Sequence, residues 1–129
     1  MHHIASGGDV HRTLSEMVRV AKPAGRILVW DHNPRNPYWG HLMARVPQDT
    51  GEERLIGEEE LVGGLRDAGA EILLSTQLGF VPDFTPRALV RPASAAERLA
   101  ERTPLLRRLC AHNVILAAKG AARRQAQPA

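Results

Sequence analysis

A helix-like segment, a tight turn and a short apolar run follow one another near the start of the chain, and this order constrains the fold most. Five apolar residues recur at the spacing of one helix face: Val10, Leu14, Met17, Val18 and Ala21. Lys22-Pro23-Ala24-Gly25 then supplies turn residues, and residues 26–31 form a short apolar run. Such a run is typical of a parallel strand that is buried on both faces. A helix that leads through a turn into a buried strand indicates an α/β fold.

The first strand is expected to end just after residue 31 and to lead into a loop. Pro34 and Pro37 remove two backbone donors within four residues, so they cannot continue a central strand. The spacing of apolar residues predicts a helix over 39–46 and another over 58–68, with Gly69 as the C-terminal cap of the second. The polar segment between these helices is expected to be a loop.

Two further strands are predicted in the second half of the chain, over residues 71–78 and 112–119. Between them, Ser94 with Glu97 three residues later is a capping-box pattern, which predicts that a helix begins there. That helix is expected to run to about residue 101. Pro104 ends it, and a second short apolar face follows, formed by Leu105, Leu106 and Leu109.

The 129 residues are enough for one domain, expected over residues 1–119, with a flexible tail over 120–129. No apolar run approaches the ~20 residues of a membrane span, and no signal-like segment opens the chain, so we expect no membrane partner and a cytoplasmic location. Cys110 is the single cysteine and is expected to be a small buried hydrophobe.

Three short motifs at the start of the chain form a recognisable series. Met1-His2-His3-Ile4 is similar to a Leu-His-His-Ile strand end, residues 14–20 follow the pattern Leu-x-Glu-x-x-Arg-Val, and residues 21–25 are similar to Leu-Lys-Pro-Gly-Gly. Together they resemble the C-terminal half of class I S-adenosylmethionine-dependent methyltransferases, of the Rossmann-like, type 11 kind. The resemblance covers about residues 1–119. It implies strands five, six and seven of the family sheet, in the order five-seven-six with strand seven antiparallel.

The resemblance also implies a cofactor, S-adenosylmethionine, and a small-molecule methyl acceptor. His2 and His3 would adjoin the cofactor. The glycine-rich loop and the ribose-binding acid of the family would precede Met1, and Gly7-Gly8 and Gly63-Gly64 lie in a predicted loop and helix, where they cannot replace that loop. We therefore expect a fragment that needs an upstream half-domain and is inactive as an isolated chain.

The candidate site lies where strands end, because ligands bind beyond the carboxyl ends of parallel strands in open α/β sheets. Residues 31–33 follow the first strand, the second ends near Gly79, and the last begins at His112 on the same side. His32 is the candidate catalytic residue, an acceptor-side base or hydrogen-bond donor. The candidate substrate-binding residues are Asp31, Asn33, Asn36, Tyr38, Phe80, Phe84, His112 and Asn113.

A structural alternative stays open for several of these residues. His32, Asn33 and Asn36 equally suit hydrogen bonding to loop backbone beside the two prolines, and Asp31 suits the fixing of a turn. The aromatic residues of the two loops suggest a lid over a ring-bearing acceptor, although loop aromatics often only anchor their loop. No pair of His at helical spacing accompanies a carboxylate, so no metal site is expected.

Two functions from different classes remain open. The first is a small-molecule methyltransferase, and the alternative is a non-catalytic remnant that binds a partner through an exposed strand edge. The same edge would lead the isolated chain to self-associate. Residues 85–129 carry a net charge of +7, but no stacking platform accompanies them, so nucleic acid is not expected as a partner.

Overall fold

The computed structural model describes residues 9–39, 54–81 and 85–120. The helices and strands whose bounds lie in this part of the chain are α1 (Asp9–Val20), β1 (Arg26–His32), α2 (Glu58–Asp67), β2 (Ala70–Leu78), α3 (Arg87–Arg102), α4 (Pro104–Arg107) and β3 (His112–Lys119). Residues 37–39 are also helical. The three predicted strands, and the two predicted helices that correspond to α1 and α2, agree with these bounds to within two residues. The predicted tail and nearly all of the predicted 39–46 helix lie outside the described residues.

The described strands form one sheet in the order β1-β3-β2. β3 is antiparallel to both neighbours, so β1 and β2 run parallel to each other with their carboxyl ends at one edge. Leu78 of β2 and His32 of β1 both face His112 in the register, which places the start of β3 at that edge. The expected α/β class and the antiparallel last strand are therefore confirmed.

One face of the sheet carries the core. α1 and α2 pack over it and contribute buried apolar side chains against those of β1 and β3, including Leu14, Leu61, Val29 and Ile115. Gly64 lies where the two helices meet, and a Cβ atom there would be 2.6 Å from Leu14 Cδ1. Glycine therefore allows this close approach, since a Cβ atom would force the buried Leu14 side chain to move.

The turn before β1 uses a left-handed residue. Ala24 has a φ of 58°, and the Gly25 N–H donates to the Lys22 carbonyl oxygen at 2.8 Å. The turn is thus as tight as the Lys-Pro-Ala-Gly sequence predicts, although alanine occupies a conformation that favours glycine. After α2, Gly69 has a φ of 86° and ends the helix as predicted.

Two expectations are wrong. β1 is not buried on both faces: Ile27 and Val29 are buried, but Leu28 and Trp30 are 58% and 55% exposed, because α1 and α2 cover only one side. The helix predicted to begin at Ser94 begins at Arg87, so Ser94 lies inside α3. Pro92 lies in the second turn of this helix, where it removes one intrahelical hydrogen bond. None of the described helices is both long and apolar enough to span a bilayer.

Candidate functional site

Two histidines meet at the carboxyl edge of the sheet. His32 ends β1 and His112 begins β3 directly opposite it, and their ring centroids are 5.4 Å apart. Trp39 stacks on His32 with a centroid distance of 3.7 Å, and the rings of Trp30 and Trp39 each lie 5.6 Å from that of His112. We call these four residues the imidazole–indole cluster. It holds the ring of His32 against an aromatic plane at the edge where the site was expected.

Side-chain amides hold the loop that carries Trp39. The Asn33 Nδ2 group donates to the carbonyl oxygens of Arg108 and Cys110 at 2.9 and 2.8 Å, and its Oδ1 atom accepts from the Arg35 N–H. The Trp39 indole N–H donates to the Ala111 carbonyl oxygen at 2.6 Å. The 33–39 loop is therefore fixed to the segment that precedes β3.

Asn36 repeats this arrangement one turn later. Its Nδ2 group donates to the Leu109 carbonyl oxygen at 2.6 Å, and its Oδ1 atom accepts from the Tyr38 N–H at 2.9 Å. Both Asn33 and Asn36 are buried. The polar atoms of both side chains are thus engaged with backbone, as in the structural alternative, and substrate binding by these two residues stays a prediction.

Two other candidate residues, Asp31 and Asn113, lie on the opposite face of the sheet. Asp31 faces Asn113 in the β1–β3 register, and both are buried on the side that α1 and α2 cover. Side chains alternate along a strand, so the neighbours His32 and His112 must point the other way. Residues 31–33 and the start of β3 therefore share one edge of the sheet, as expected, but His32 and His112 lie on one face while Asp31 and Asn113 lie on the other.

A polar network that the sequence patterns did not indicate continues this buried row. Gln77 faces Asn113 from β2, and the Glu58 carboxylate accepts hydrogen bonds from Gln77 Nε2 at 2.7 Å and from Ser75 Oγ at 2.5 Å. The sequence signal for this network is the alternation of side chains along β2, which puts Ser75 and Gln77 on the same face of the sheet. Glu58 begins α2, where a carboxylate is favoured by the helix dipole.

The aromatic lid is only partly described. Tyr38 packs edge-on to Trp39 at 5.5 Å, and Phe80, half exposed, follows β2 at the same edge of the sheet. Glu97 of α3 accepts from the N–H groups of Phe80 and Val81, so the loop after β2 is held by a carboxylate. Phe84, His2 and His3 lie outside the described residues, and the lid stays a prediction.

Cys110 is fully buried, as expected. Burial raises the pKa of its thiol, and the nearby carboxylates of Glu101 and Glu97 raise it further. The thiol is therefore protonated at neutral pH and is a poor nucleophile. Within residues 9–39, 54–81 and 85–120, no group of three or more His, Cys, Asp or Glu side chains is arranged to hold a metal ion.

No protein-family model matches this sequence, and no curated protein matches it. Its function must therefore be inferred from the motifs of the sequence and from the geometry of the described residues.

Proposed function

We propose that this chain forms the acceptor-side part of a Rossmann-like, S-adenosylmethionine-dependent methyltransferase that acts on a small molecule. The observation that carries the proposal is the strand order β1-β3-β2 with β3 antiparallel. It agrees with the order and directions that the motif resemblance implies for strands five, seven and six. The turn over residues 22–25, which enters β1 as the resemblance expects, is a second support. A cytoplasmic location belongs to the same proposal.

His32 is the residue we assign to the acceptor. Methyl transfer from a sulfonium is an in-line displacement, so the protein aligns the reactants and, for some acceptors, removes a proton. An imidazole suits proton removal at neutral pH. Stacking on Trp39 at 3.7 Å fixes the plane of the His32 ring, and His112 provides a second imidazole beside it.

The described residues do not fit the cofactor itself. A binding loop for S-adenosylmethionine needs glycines between a strand and the N-terminus of a helix. Gly63 and Gly64 are instead inside α2, and Gly64 serves the contact with Leu14. We therefore assign no step that involves the cofactor to the described residues, and the proposal concerns the acceptor side only.

The test begins with the DNA upstream of the codon for Met1. The proposal expects an in-frame segment that encodes Gly-x-Gly-x-Gly, and the protein that contains both halves should transfer a labelled methyl group from S-adenosylmethionine to a small-molecule extract. Replacing His32 by alanine should lower kcat by about 10²-fold or more while cofactor affinity is kept. His11→Ala on α1 is the control. Unchanged turnover with weakened cofactor binding would refute the assignment of His32, and no transfer by the longer protein would refute the function.

A partner-binding module is the second candidate. It is favoured by the outer edge of β1, which pairs with no other strand among the described residues. An unpaired edge is a template for a strand from another polypeptide. Stable capture of the upstream product without any methyl transfer would favour this candidate over the enzyme.

A further inference from the structure

The face of the sheet that α1 and α2 leave uncovered is apolar in its centre. Leu28 and Trp30 of β1 project from it, and the register places Leu28, Leu116 and Leu74 side by side across the three strands. A β-bulge between Ile72 and Leu74 adds Leu73, and Leu73 and Leu74 are both exposed. We call this surface the open face.

Opposite charges flank the open face at its amino edge. Arg26 and Glu71 both face Ala118 in the register, one from each side, and both are exposed. They are two strand spacings apart, about 10 Å. Neither forms an ion pair with another described residue, whereas Arg19, Arg35 and Arg54 each have a carboxylate partner.

We propose that a second copy of this chain packs on the open face, related by a twofold axis parallel to β3. This rotation leaves each set of cross-strand neighbours at the same position along the strand direction. It exchanges the positions of the two outer strands, β1 and β2. β1 of one copy then lies over β2 of the other, and β3 lies over β3. Two sheets stacked in this way form an aligned sandwich about 10 Å thick.

Charge complementarity selects this axis. Arg26 of each copy lies over Glu71 of the other, so the twofold symmetry forms the same ion pair twice. A twofold axis perpendicular to the strands would instead place Arg26 over His32 and Glu71 over Leu78. That arrangement leaves both charges without an opposite charge.

The apolar rows also fit this arrangement. Leu28 lies over Leu74 of the other copy, and Leu116 lies over its own equivalent. In the next row, the large Trp30 side chain lies over the small Thr76. An apolar centre with a charged rim is the usual anatomy of a protein interface.

The contact is small. A face of three strands and seven residues measures about 14 by 23 Å, which is well below the surface that each partner of a standard complex contributes. We therefore expect a reversible dimer with a dissociation constant in the order of 1–100 μM.

The test is sedimentation velocity of the purified chain across that concentration range. Arg26→Glu and Glu71→Arg should each raise the dissociation constant by about tenfold or more, because two attractive pairs become repulsive. The double variant that carries both changes should restore it to within about threefold, since the pairs are only exchanged. Arg66→Glu, an exposed charge reversal on α2, is the matched control and should have no effect.

Each remaining outcome overturns the proposal. If the chain stays monomeric up to about 500 μM, the proposed dimer does not form. If the double variant does not recover the dissociation constant of the wild type, the two proposed ion pairs do not form. Association through the outer edge of β1 would be insensitive to Glu71→Arg, because Glu71 lies on the other outer strand. His32 and His112 lie at the carboxyl end of the same open face, so the dimer would cover the side that we assign to the methyl acceptor. Sedimentation tests the dimer without any methyl transfer, so failure of the dimer leaves the proposed function standing.

Discussion

At the scale of single residues, the 33–39 loop shows why polar side chains beside a strand end are ambiguous in a sequence. An asparagine in such a loop suits substrate binding and backbone hydrogen bonding equally well. The outcome depends on carbonyl groups more than 70 positions away, at Arg108, Leu109 and Cys110. No local pattern reports that distance, so only the structure identifies the backbone partners of Asn33 and Asn36.

The first prediction concerns Asn33. Asn33→Ala removes two hydrogen bonds to backbone carbonyl groups and one from the Arg35 N–H, and we expect the free energy of unfolding to fall by about 2–4 kcal/mol. Urea denaturation measures this change. Arg108→Ala is the control, because the Arg108 group that Asn33 contacts is the backbone carbonyl, which the substitution keeps. Equal stability of Asn33→Ala and the wild type would contradict the anchoring role.

The turn before β1 offers a second, paired prediction. Ala24 has a φ of 58°, so Ala24→Gly should relieve strain and raise the free energy of unfolding by about 1 kcal/mol. Gly25→Ala should lower it, because the new Cβ atom would lie 2.7 Å from the Lys22 carbonyl oxygen. Opposite shifts of the denaturation midpoint are expected, and shifts of the same sign would show that this turn geometry is wrong.

At the scale of elements, the sequence pattern predicts the bounds of a helix or strand where the element's own residues cap its ends and form its apolar face. The bounds of α1, α2, β2 and β3 follow from apolar spacing and from caps such as Gly69. The start of α3 differs from its predicted position, because Glu97 fits a capping box in the sequence but in the structure accepts hydrogen bonds from the N–H groups of Phe80 and Val81. The burial of β1 depends on which face the helices cover, which its own residues do not encode.

Two adjacent glycines in α2 give the prediction at this scale. A Cβ atom added at Gly63 would meet no neighbouring atom within 4 Å, so Gly63→Ala should stabilise the helix by about 0.5–1 kcal/mol. Gly64→Ala should destabilise the protein by about 1–3 kcal/mol, because its Cβ would collide with the buried Leu14 side chain. Thermal unfolding distinguishes the two variants. If both raise Tm, α1 and α2 do not pack as described.

At the scale of the whole molecule, the edge that carries the candidate site was predictable, and its division between faces was missed. Strand direction places residues 31–33 and His112 together, and that information is contained in the order of the elements. The separation of His32 from Asp31 follows from alternation along β1. The buried network around Glu58 needed the packing of α2 on the sheet, which periodicity alone does not supply.

The prediction at this scale concerns S-adenosylmethionine. The chain by itself should bind it weakly or not at all, because the described glycines lie in turns, caps and the middle of α2, and the sequence has no Gly-x-Gly-x-Gly loop. Titration calorimetry is the measurement, with the protein that contains both halves as the positive control. A micromolar dissociation constant for the chain alone would show that it has a cofactor site that its sequence does not reveal.

β3 is last among the described elements and central in the sheet, and this has a consequence for folding. β1 and β2 both pair with β3 and not with each other, so no described strand has a partner until residues 112–119 have left the ribosome. The hydrogen bonds that fix the 33–39 loop also form late, because their acceptors are backbone carbonyl oxygens of residues 108–111. Pairing of the described strands with one another is therefore a late, nonlocal event, which is typical of slow folding. During synthesis the apolar residues of β1 remain exposed, and in that interval the nascent chain is most prone to aggregation.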